Sequence, residues 1–210
     1  MATDIFPEKV AYRGKRALDW TVLIGVGLPA LLLGGVCALA VRLSSPGPIL
    51  FRQERVGLGG RSFRLYKLRT MFDRPDNSLF PTPDEITPVG RLLRRLSLDE
   101  LPQLLNIARG DMSIVGPRPA LALQVRCYTQ RQRGRLASRP GLTGLAQVRG
   151  RNTLDWSERI RLDLEYIDRQ SIALDLSILA STASAVLRGS GLEATNLDDP
   201  LATGDVANPG

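Results

Sequence analysis

Residues 20–41 read WTVLIGVGLPALLLGGVCALAV, a run of 22 residues without a charged side chain. At about 1.5 Å of rise per residue, a helix of this length spans the roughly 30 Å hydrocarbon core of a bilayer. Basic residues flank the run, with Lys15 and Arg16 before it and Arg42 after it. A signal peptide has a shorter apolar core and a small-residue cleavage site, so residues 1–43 are predicted to hold a retained membrane segment.

Pro29 lies near the middle of this segment, where it removes a backbone hydrogen bond and favours a kink. Because basic flanks favour the cytoplasmic side, a spanning helix would place one of the two flanks on the opposite side. A re-entrant helix broken at Pro29 would enter and leave on one face and keep both flanks at the cytoplasmic headgroups. An ordinary kinked transmembrane helix is the alternative, because proline is tolerated in spanning helices. The residues alone leave both courses open.

The following residues, 44–190, have the pattern of one compact α+β domain that is mainly helical. Residues 63–69 alternate apolar and polar side chains as a half-buried strand does, and residues 49–51 predict a second short strand. Four prolines within residues 74–88 predict an exposed loop, and residues 191–210 have the acidic composition of a disordered tail. Helices are predicted over 90–96, 98–108, 120–135, 153–170 and 172–188.

Histidine is absent from all 210 residues, which excludes Ser-His-Asp and Cys-His catalysis and every histidine-ligated metal site. Cys37 and Cys127 indicate neither a disulfide framework nor a CxxC metal site, so a reducing, cytosol-facing domain is expected. The net charge is +7, and eleven Arg or Lys residues stand against five Asp or Glu between Arg42 and Arg95. Such a basic region can face anionic lipid or a phosphorylated substrate; nucleic acid is least favoured, because no aromatic residues are interleaved with the bases.

Two adjacent carboxylates, Asp99 and Glu100, lie in the segment SLDELP at residues 97–102. Ser97 and Glu100 match a capping box, in which both side chains only satisfy the first turn of a helix. The same position also places two carboxylates beside a helix N-terminus, which attracts phosphate. One carboxylate could attack phosphorus while the other holds Mg²⁺ or moves a proton, because Mg²⁺ prefers oxygen ligands. The motif by itself favours capping and leaves catalysis as the alternative.

Cations that a diphosphate would need occur in three short motifs. They are KLRT at residues 67–70, RR at 94–95 and GPRP at 116–119. In the last of these, Pro117 and Pro119 fix the backbone around Arg118, which preorganises its guanidinium at low entropic cost. This constraint distinguishes Arg118 from the other arginines.

With these motifs, the chain resembles the monotopic phosphoglycosyl transferase superfamily of bacterial sugar transferases. The resemblance extends from about Arg13 to Gly191, and the chain is similar to the minimal form of the family. It is carried by GPILFRQERVGLGGRSFRLYKLRTM at 47–71, SLDELPQLLNIARGDMSIVGPRP at 97–119 and RPGLTGLAQVRGRN at 139–152. The resemblance implies a re-entrant membrane helix, a catalytic domain on the cytoplasmic face of the bacterial inner membrane, and Mg²⁺. It also implies a UDP-sugar donor and a polyprenyl phosphate acceptor, typically undecaprenyl phosphate.

The resemblance further implies a role for each matching residue. Asp99 would attack the β-phosphorus, release UMP and carry a phosphosugar until the lipid phosphate removes it. Glu100 would bind Mg²⁺ together with Asp99, or would assist proton transfer. Residues that the resemblance places at the donor are Lys67, Arg69, Arg94, Pro117, Arg118 and Pro119. Asp175 also matches the family pattern, as a donor residue or, alternatively, as a structural cap.

Two positions depart from the family pattern. Leu28 precedes Pro29 where members often have serine, and Leu68 replaces a frequent aromatic residue of the basic strand. The first change removes a hydroxyl that could satisfy a freed carbonyl, and the second bears on donor choice rather than on chemistry. A non-catalytic, membrane-anchored scaffold that binds anionic lipid is the alternative from another functional class, and in it Asp99 and Glu100 are caps.

Overall fold

The computed structural model describes residues 9, 11–72, 85–150 and 154–187. Its helices are α1 Lys15–Ser44, α2 Pro88–Arg95, α3 Gln103–Arg109, α4 Ala122–Arg126, α5 Gln130–Arg133, α6 Leu145–Arg149, α7 Trp156–Arg169 and α8 Ile172–Leu187. Its strands are β1 Leu50–Val56, β2 Ser62–Leu68, β3 Ser113–Val115 and β4 Gly141–Thr143. The expected mainly helical α+β class is therefore confirmed. The predicted tail at 191–210 lies outside the described residues, as does most of the predicted loop.

Helix α1 is the long apolar helix that the sequence predicts. Within the described part of the chain, it is the one helix long and apolar enough to cross a membrane, by length and composition. It continues without interruption through Pro29, so the expected break is not shown. Apolar side chains in its middle are exposed, with Ile24 at 76% and Leu31 at 73%. Its buried residues lie near the two ends and are Lys15, Asp19, Cys37 and Val41.

Strands β1 and β2 form an antiparallel hairpin in which Leu50 pairs with Leu68 and Val56 pairs with Ser62. A glycine-rich turn joins them, and Gly59 and Gly60 adopt positive φ angles of 63° and 79° that favour glycine. Both predicted strands are confirmed, but β1 is longer than expected. The polar residues of β1 interrupt the apolar run from which the strand was predicted, and hydrogen bonding to β2 keeps them in the strand.

Strands β3 and β4 form a small parallel pair, with Ser113 opposite Gly141 and Val115 opposite Thr143. A Cβ atom on Gly141 would lie 2.1 Å from the backbone nitrogen of Gly116. The backbones therefore approach closely because glycine stands at this position. The sequence did not predict this pair, since three residues are too few to show an alternating pattern.

Three apolar clusters pack the described part of the domain, and two of them bear on α1 and the elements around it. The larger cluster lies between α3, β3, α7 and α8, and its most buried side chains include Ile107, Met112, Val115, Tyr166 and Ile178. The smaller cluster packs the end of α1 against β2 and α2 through Cys37, Val41, Leu68 and Leu93. Each large apolar side chain contributes about 1.5–3 kcal/mol to stability on full burial. The smaller cluster therefore attaches α1 to the domain, and the larger one stabilises the packing of the other elements.

Several predicted helices have different boundaries. The single helix expected over 120–135 is two helices, because Thr129 begins a new capping box with Gln132. The helix expected over 153–170 begins at Trp156, where Asp155 accepts a hydrogen bond of 2.7 Å from the amide of Glu158. A nearby side chain that can cap the first turn decides each boundary, and helical periodicity does not show its position.

Candidate active site

The segment that carries Asp99 and Glu100 is not a helix cap. Ser97 has a φ of 55°, and among the described non-glycine residues it is the one with a positive φ. Its side chain makes no capping hydrogen bond, Leu98–Glu100 form a short 3-10 turn, and α3 begins only at Gln103. The expected capping box is therefore wrong. A left-handed serine costs about 1–3 kcal/mol, and such strain is concentrated at functional sites.

Glu100 is a buried carboxylate held between two cations. Its side chain is 9% exposed, and its Oε1 atom lies 2.9 Å from Lys67 Nζ and 3.5 Å from an Arg118 guanidinium nitrogen. Burial alone would raise the pKa of Glu100, but Lys67 and Arg118 together outweigh it and hold the pKa below its ordinary value. Glu100 is therefore a stable carboxylate that brings β2 and the GPRP turn (residues 116–119) together.

Asp99 is also buried, with 4% of its surface exposed, but it differs from Glu100 in its contacts. Among the described residues, no cation lies within ion-pair distance of its carboxylate. Burial raises the pKa of Asp99, while the positive charges of Lys67 and Arg94 act in the opposite direction. Two neighbouring carboxylates thus have pKa values shifted apart, as expected where adjacent acids perform different tasks.

Strand β2 presents Lys67 to this site because Asn106 on α3 fixes the strand. Asn106 is fully buried; its side-chain nitrogen donates to the Arg64 carbonyl at 2.7 Å, and its oxygen accepts from the Tyr66 amide at 3.3 Å. These are the strand's outward-facing backbone groups, which would otherwise lack partners in the protein. The packing of α3 against β2 therefore sets the position of the Lys67 ammonium.

The GPRP turn presents Arg118 to the same site. The amide of Gly116 donates to the Thr143 carbonyl at 2.9 Å, and the Pro117 carbonyl accepts from the Gly141 amide at 2.8 Å. Pro117 and Pro119 restrict the backbone on both sides of Arg118, whose side chain is 28% exposed. The turn is therefore rigid, and its arginine is accessible to a ligand.

The other predicted donor residues lie in different surroundings. Arg94 donates to the Thr70 hydroxyl at 2.8 Å and acts electrostatically on Asp99, so it belongs to the edge of the site. Arg69 is buried and donates to the carbonyls of Ser45 and Pro46, which ties β2 to the turn after α1. These contacts indicate a structural role for Arg69.

Asp175 is fully buried in a network at the start of α1 rather than beside Glu100. It accepts hydrogen bonds from Lys15 at 2.5 Å, from Tyr12 at 2.7 Å and from Tyr166 at 2.8 Å. Burial, followed by Asp175, raises the pKa values of both tyrosines, so they remain protonated donors at neutral pH. The structure thus joins Asp175 to the start of α1.

Sequence reasoning missed two arginines near the GPRP turn. Arg55 on β1 lies close enough to Arg118 and Glu100 to interact with both charges, and burial together with Arg118 lowers its pKa to about 10. Arg135 is buried and paired with Asp163 on α7. Arginine is abundant throughout the chain, so no feature of the sequence marks these two.

The number and type of the Asp99 and Glu100 carboxylates are compatible with a magnesium site. No cluster of three or more metal-ligating side chains occurs in the part of the chain that the structure describes. Mg²⁺ commonly takes only one or two carboxylates and completes its shell with water and substrate phosphates. Asp99 and Glu100 provide that number of hard oxygen ligands.

Comparisons with known proteins agree with these motifs. The uncharacterized sugar transferase EpsL of Bacillus subtilis is 48% identical over 184 residues, which cover 87% of this chain and 91% of that protein. The UDP-glucose:undecaprenyl-phosphate glucose-1-phosphate transferase of Caulobacter vibrioides is 47% identical over 188 residues, 82% of this chain and 69% of that protein. The Escherichia coli protein of the same name is 43% identical over 182 residues, 80% of this chain and 39% of that protein. The profile of the bacterial sugar transferases matches residues 10–189, so the chain belongs to the bacterial sugar transferase family.

Proposed function

We propose that the protein is a phosphoglycosyl transferase that moves a sugar-1-phosphate from a UDP-sugar to undecaprenyl phosphate and releases UMP. The observation that carries this proposal is the buried pair of carboxylates, of which Glu100 is neutralised by Lys67 and Arg118 while Asp99 is not. The names of the relatives from C. vibrioides and E. coli support this donor and acceptor class. The reaction would be the first membrane step in the assembly of a glycoconjugate.

Asp99 is the nucleophile in this proposal. A carboxylate oxygen of Asp99 forms a bond to the β-phosphorus of the donor, and the bond between that phosphorus and the bridging oxygen of UMP breaks. UMP leaves with the electron pair, and the sugar phosphate stays on Asp99 as an acyl phosphate. The phosphate oxygen of the lipid then attacks the same phosphorus and restores the carboxylate. Each step transfers one phosphoryl group, and no oxidant or reductant is required.

Lys67 and Arg118 bind the donor diphosphate in this scheme. Both cations face Glu100, so a bound diphosphate would share charges that are already fixed in place by the fold. Preorganised cations stabilise a phosphoryl-transfer transition state without reorganising during the reaction. Asp99 and Glu100 would hold Mg²⁺, which when bound neutralises charge on the donor phosphates. Glu100 is assigned either to this ion or to proton transfer.

We also propose that α1 is re-entrant and that the catalytic domain faces the cytoplasm at the inner membrane. Before the helix, the Lys9 amide donates to the Ala137 carbonyl at 2.8 Å. At the start of the helix, Asp19 accepts from the Ile114 amide at 2.9 Å. Near its end, Val41 packs in the cluster that contains Leu68 and Leu93. Contacts of both ends with one domain support a course that enters and leaves on the same side.

The Asp99→Asn variant tests the chemistry. Asparagine preserves the size of the side chain but cannot form the acyl phosphate, so we expect UMP release from UDP-glucose to be abolished. With donor alone, the wild-type protein in nanodiscs should release about one equivalent of UMP and gain the mass of a hexose phosphate. The variant should show neither change while keeping the wild-type melting temperature.

Two outcomes would contradict the proposal. Unchanged transfer by Asp99→Asn would exclude this residue as the nucleophile. A wild-type protein that binds anionic vesicles but releases UMP from none of UDP-glucose, UDP-galactose or UDP-N-acetylglucosamine would favour the scaffold alternative. If the wild-type protein is active, the same donor panel identifies the preferred sugar.

A further inference from the structure

A second buried ion pair lies behind the GPRP turn. Arg135 belongs to a 3-10 turn at Gly134–Ala137, and Asp163 lies on α7. Their side chains are 2% and 3% exposed, and an Arg135 guanidinium nitrogen donates to an Asp163 carboxylate oxygen. Two charges removed from water to this extent are costly, and apolar residues of similar volume often stabilise a fold equally well. The pair therefore calls for an explanation beyond stability.

The remaining contacts of Arg135 connect the pair to the proposed donor site. The nitrogen that bonds Asp163 also donates to the main-chain carbonyl of Arg118 at 3.0 Å. The other terminal nitrogen donates to the Tyr128 hydroxyl at 2.6 Å. The guanidinium also lies 5.6 Å and 5.7 Å from the ring centroids of Tyr128 and Trp156. Arg135 is thus held in one orientation, with a hydrogen bond directed at the backbone of Arg118.

A second arginine holds the next carbonyl of the turn. Arg55 on β1 donates to the Pro119 carbonyl at 3.1 Å, and its other nitrogens donate to the Gln53 side chain. Pro117 and Pro119 have no amide hydrogen, so neither can donate a backbone hydrogen bond that would hold this part of the turn. Two guanidinium groups from separate elements instead hold its consecutive carbonyls.

We propose that Arg135, oriented by Asp163, is a positioning residue for donor binding that fixes the backbone of Arg118. The proposal rests on the proposed function, in which the Arg118 guanidinium contacts the donor. The Arg118 side chain reaches to 3.5 Å from Glu100, and its direction follows from the backbone that Arg135 holds. Loss of the hydrogen bond from Arg135 would leave Arg118 charged and present but displaced. A displacement of about 1 Å in a binding group can lower an enzyme's efficiency roughly 100-fold.

Two single variants test this role by steady-state kinetics of UMP release from UDP-glucose. Arg135→Lys keeps the charge but cannot bond both Asp163 and the Arg118 carbonyl in the same geometry. We expect its kcat/KM to fall about 10- to 100-fold, mainly through a higher KM, because Arg118 binds the donor before the reaction. Tyr128→Phe removes one hydroxyl from Arg135 and should raise KM by a smaller factor. It also keeps the test open if Arg135→Lys does not fold.

Combination with Arg118→Lys separates positioning from general stability. If Arg135 acts through Arg118, the Arg135→Lys change should add little to KM once Arg118 is already replaced. Additive effects in this double-mutant cycle would overturn the proposal. A lowered melting temperature with an unchanged KM would overturn it too.

The matched control is Arg161→Lys, which alters an exposed pair with Glu158 and should leave KM unchanged. If the wild-type enzyme is active and the Arg135 variants keep its KM, the positioning role of Arg135 is disproved and the proposed function is not. A wild-type protein that releases no UMP disproves the proposed function as well, so the two failures are distinguishable.

Discussion

The Lys67 ammonium lies 2.9 Å from Glu100 Oε1, and this contact joins β2 to the 3-10 turn that carries Asp99. Lys67 neutralises Glu100 directly, and its charge partly offsets the rise that burial causes in the pKa of the neighbouring Asp99. One cation therefore acts on two carboxylates. In the proposed mechanism it keeps Asp99 ionised, and thus nucleophilic, in a buried environment that would otherwise favour the protonated acid.

The pH dependence of kcat should report this effect. Burial raises the pKa of Asp99 above its ordinary value of 3.8, so the acidic limb of the profile should lie above that pH. Replacing Lys67 with Met removes the positive charge that lowers this pKa most, so the pKa must rise further. The acidic limb should then move to higher pH, and kcat at its plateau should fall about 10- to 1000-fold because a donor-binding cation is lost.

Lys67→Arg is the control for this measurement, since it preserves the charge. Its acidic limb should stay near that of the wild-type protein even if its plateau is lower. If the acidic limbs of the kcat profiles of Lys67→Met and the wild-type protein coincide, Lys67 does not set the ionisation of the nucleophile. UMP release measured across the acidic range with UDP-glucose is sufficient for the comparison.

A second prediction concerns the contact between α2 and the end of β2. A Cβ atom at Gly90 would lie 2.0 Å from the Thr70 carbonyl oxygen, so Gly90→Ala must push the helix away. We expect a loss of about 1–3 kcal/mol in the free energy of unfolding, as for other overpacked sites. Activity should also fall, because Arg94 on the same helix reaches Thr70 and acts on Asp99.

Gly35→Ala is the matched control within α1. Apart from the neighbouring backbone of α1 itself, no atom lies within 4 Å of a Cβ placed there, and alanine is favoured over glycine in a helix by up to about 1 kcal/mol. Its melting temperature should equal or exceed that of the wild-type protein. Equal melting temperatures for Gly90→Ala and Gly35→Ala would contradict the close packing of α2 on Thr70.

Composition and alternation were sufficient to predict the apolar helix, the hairpin and the α+β class. These elements are long enough for their patterns to rise above chance variation. The three-residue strands β3 and β4 are not, and only the tertiary contact between Gly116 and Gly141 reveals them. The capping box predicted at Ser97 was wrong because Ser97 adopts a left-handed conformation, which the local pattern does not show.

The candidate site also contains both residues that short motifs reveal and residues that only the folded chain brings together. The motifs gave Asp99, Glu100, Lys67 and Arg118, and the structure brings these four together. Arg69 lies in the same KLRT motif as Lys67, but its side chain turns to the chain segment after α1. The Arg135 pair joins residues 28 positions apart, and in an arginine-rich chain no local pattern identifies such a pair.

The last prediction concerns the course of α1. In a protein with Cys37 and Cys127 replaced by serine, single cysteines from Lys9→Cys and Arg61→Cys lie before and after the helix. If the helix is re-entrant, a membrane-impermeant maleimide should label both positions in inverted vesicles and neither in intact cells. Detergent-solubilised protein gives the control for full labelling. Labelling of the two cysteines from opposite sides would establish a spanning helix and would contradict the contacts of both ends with one domain.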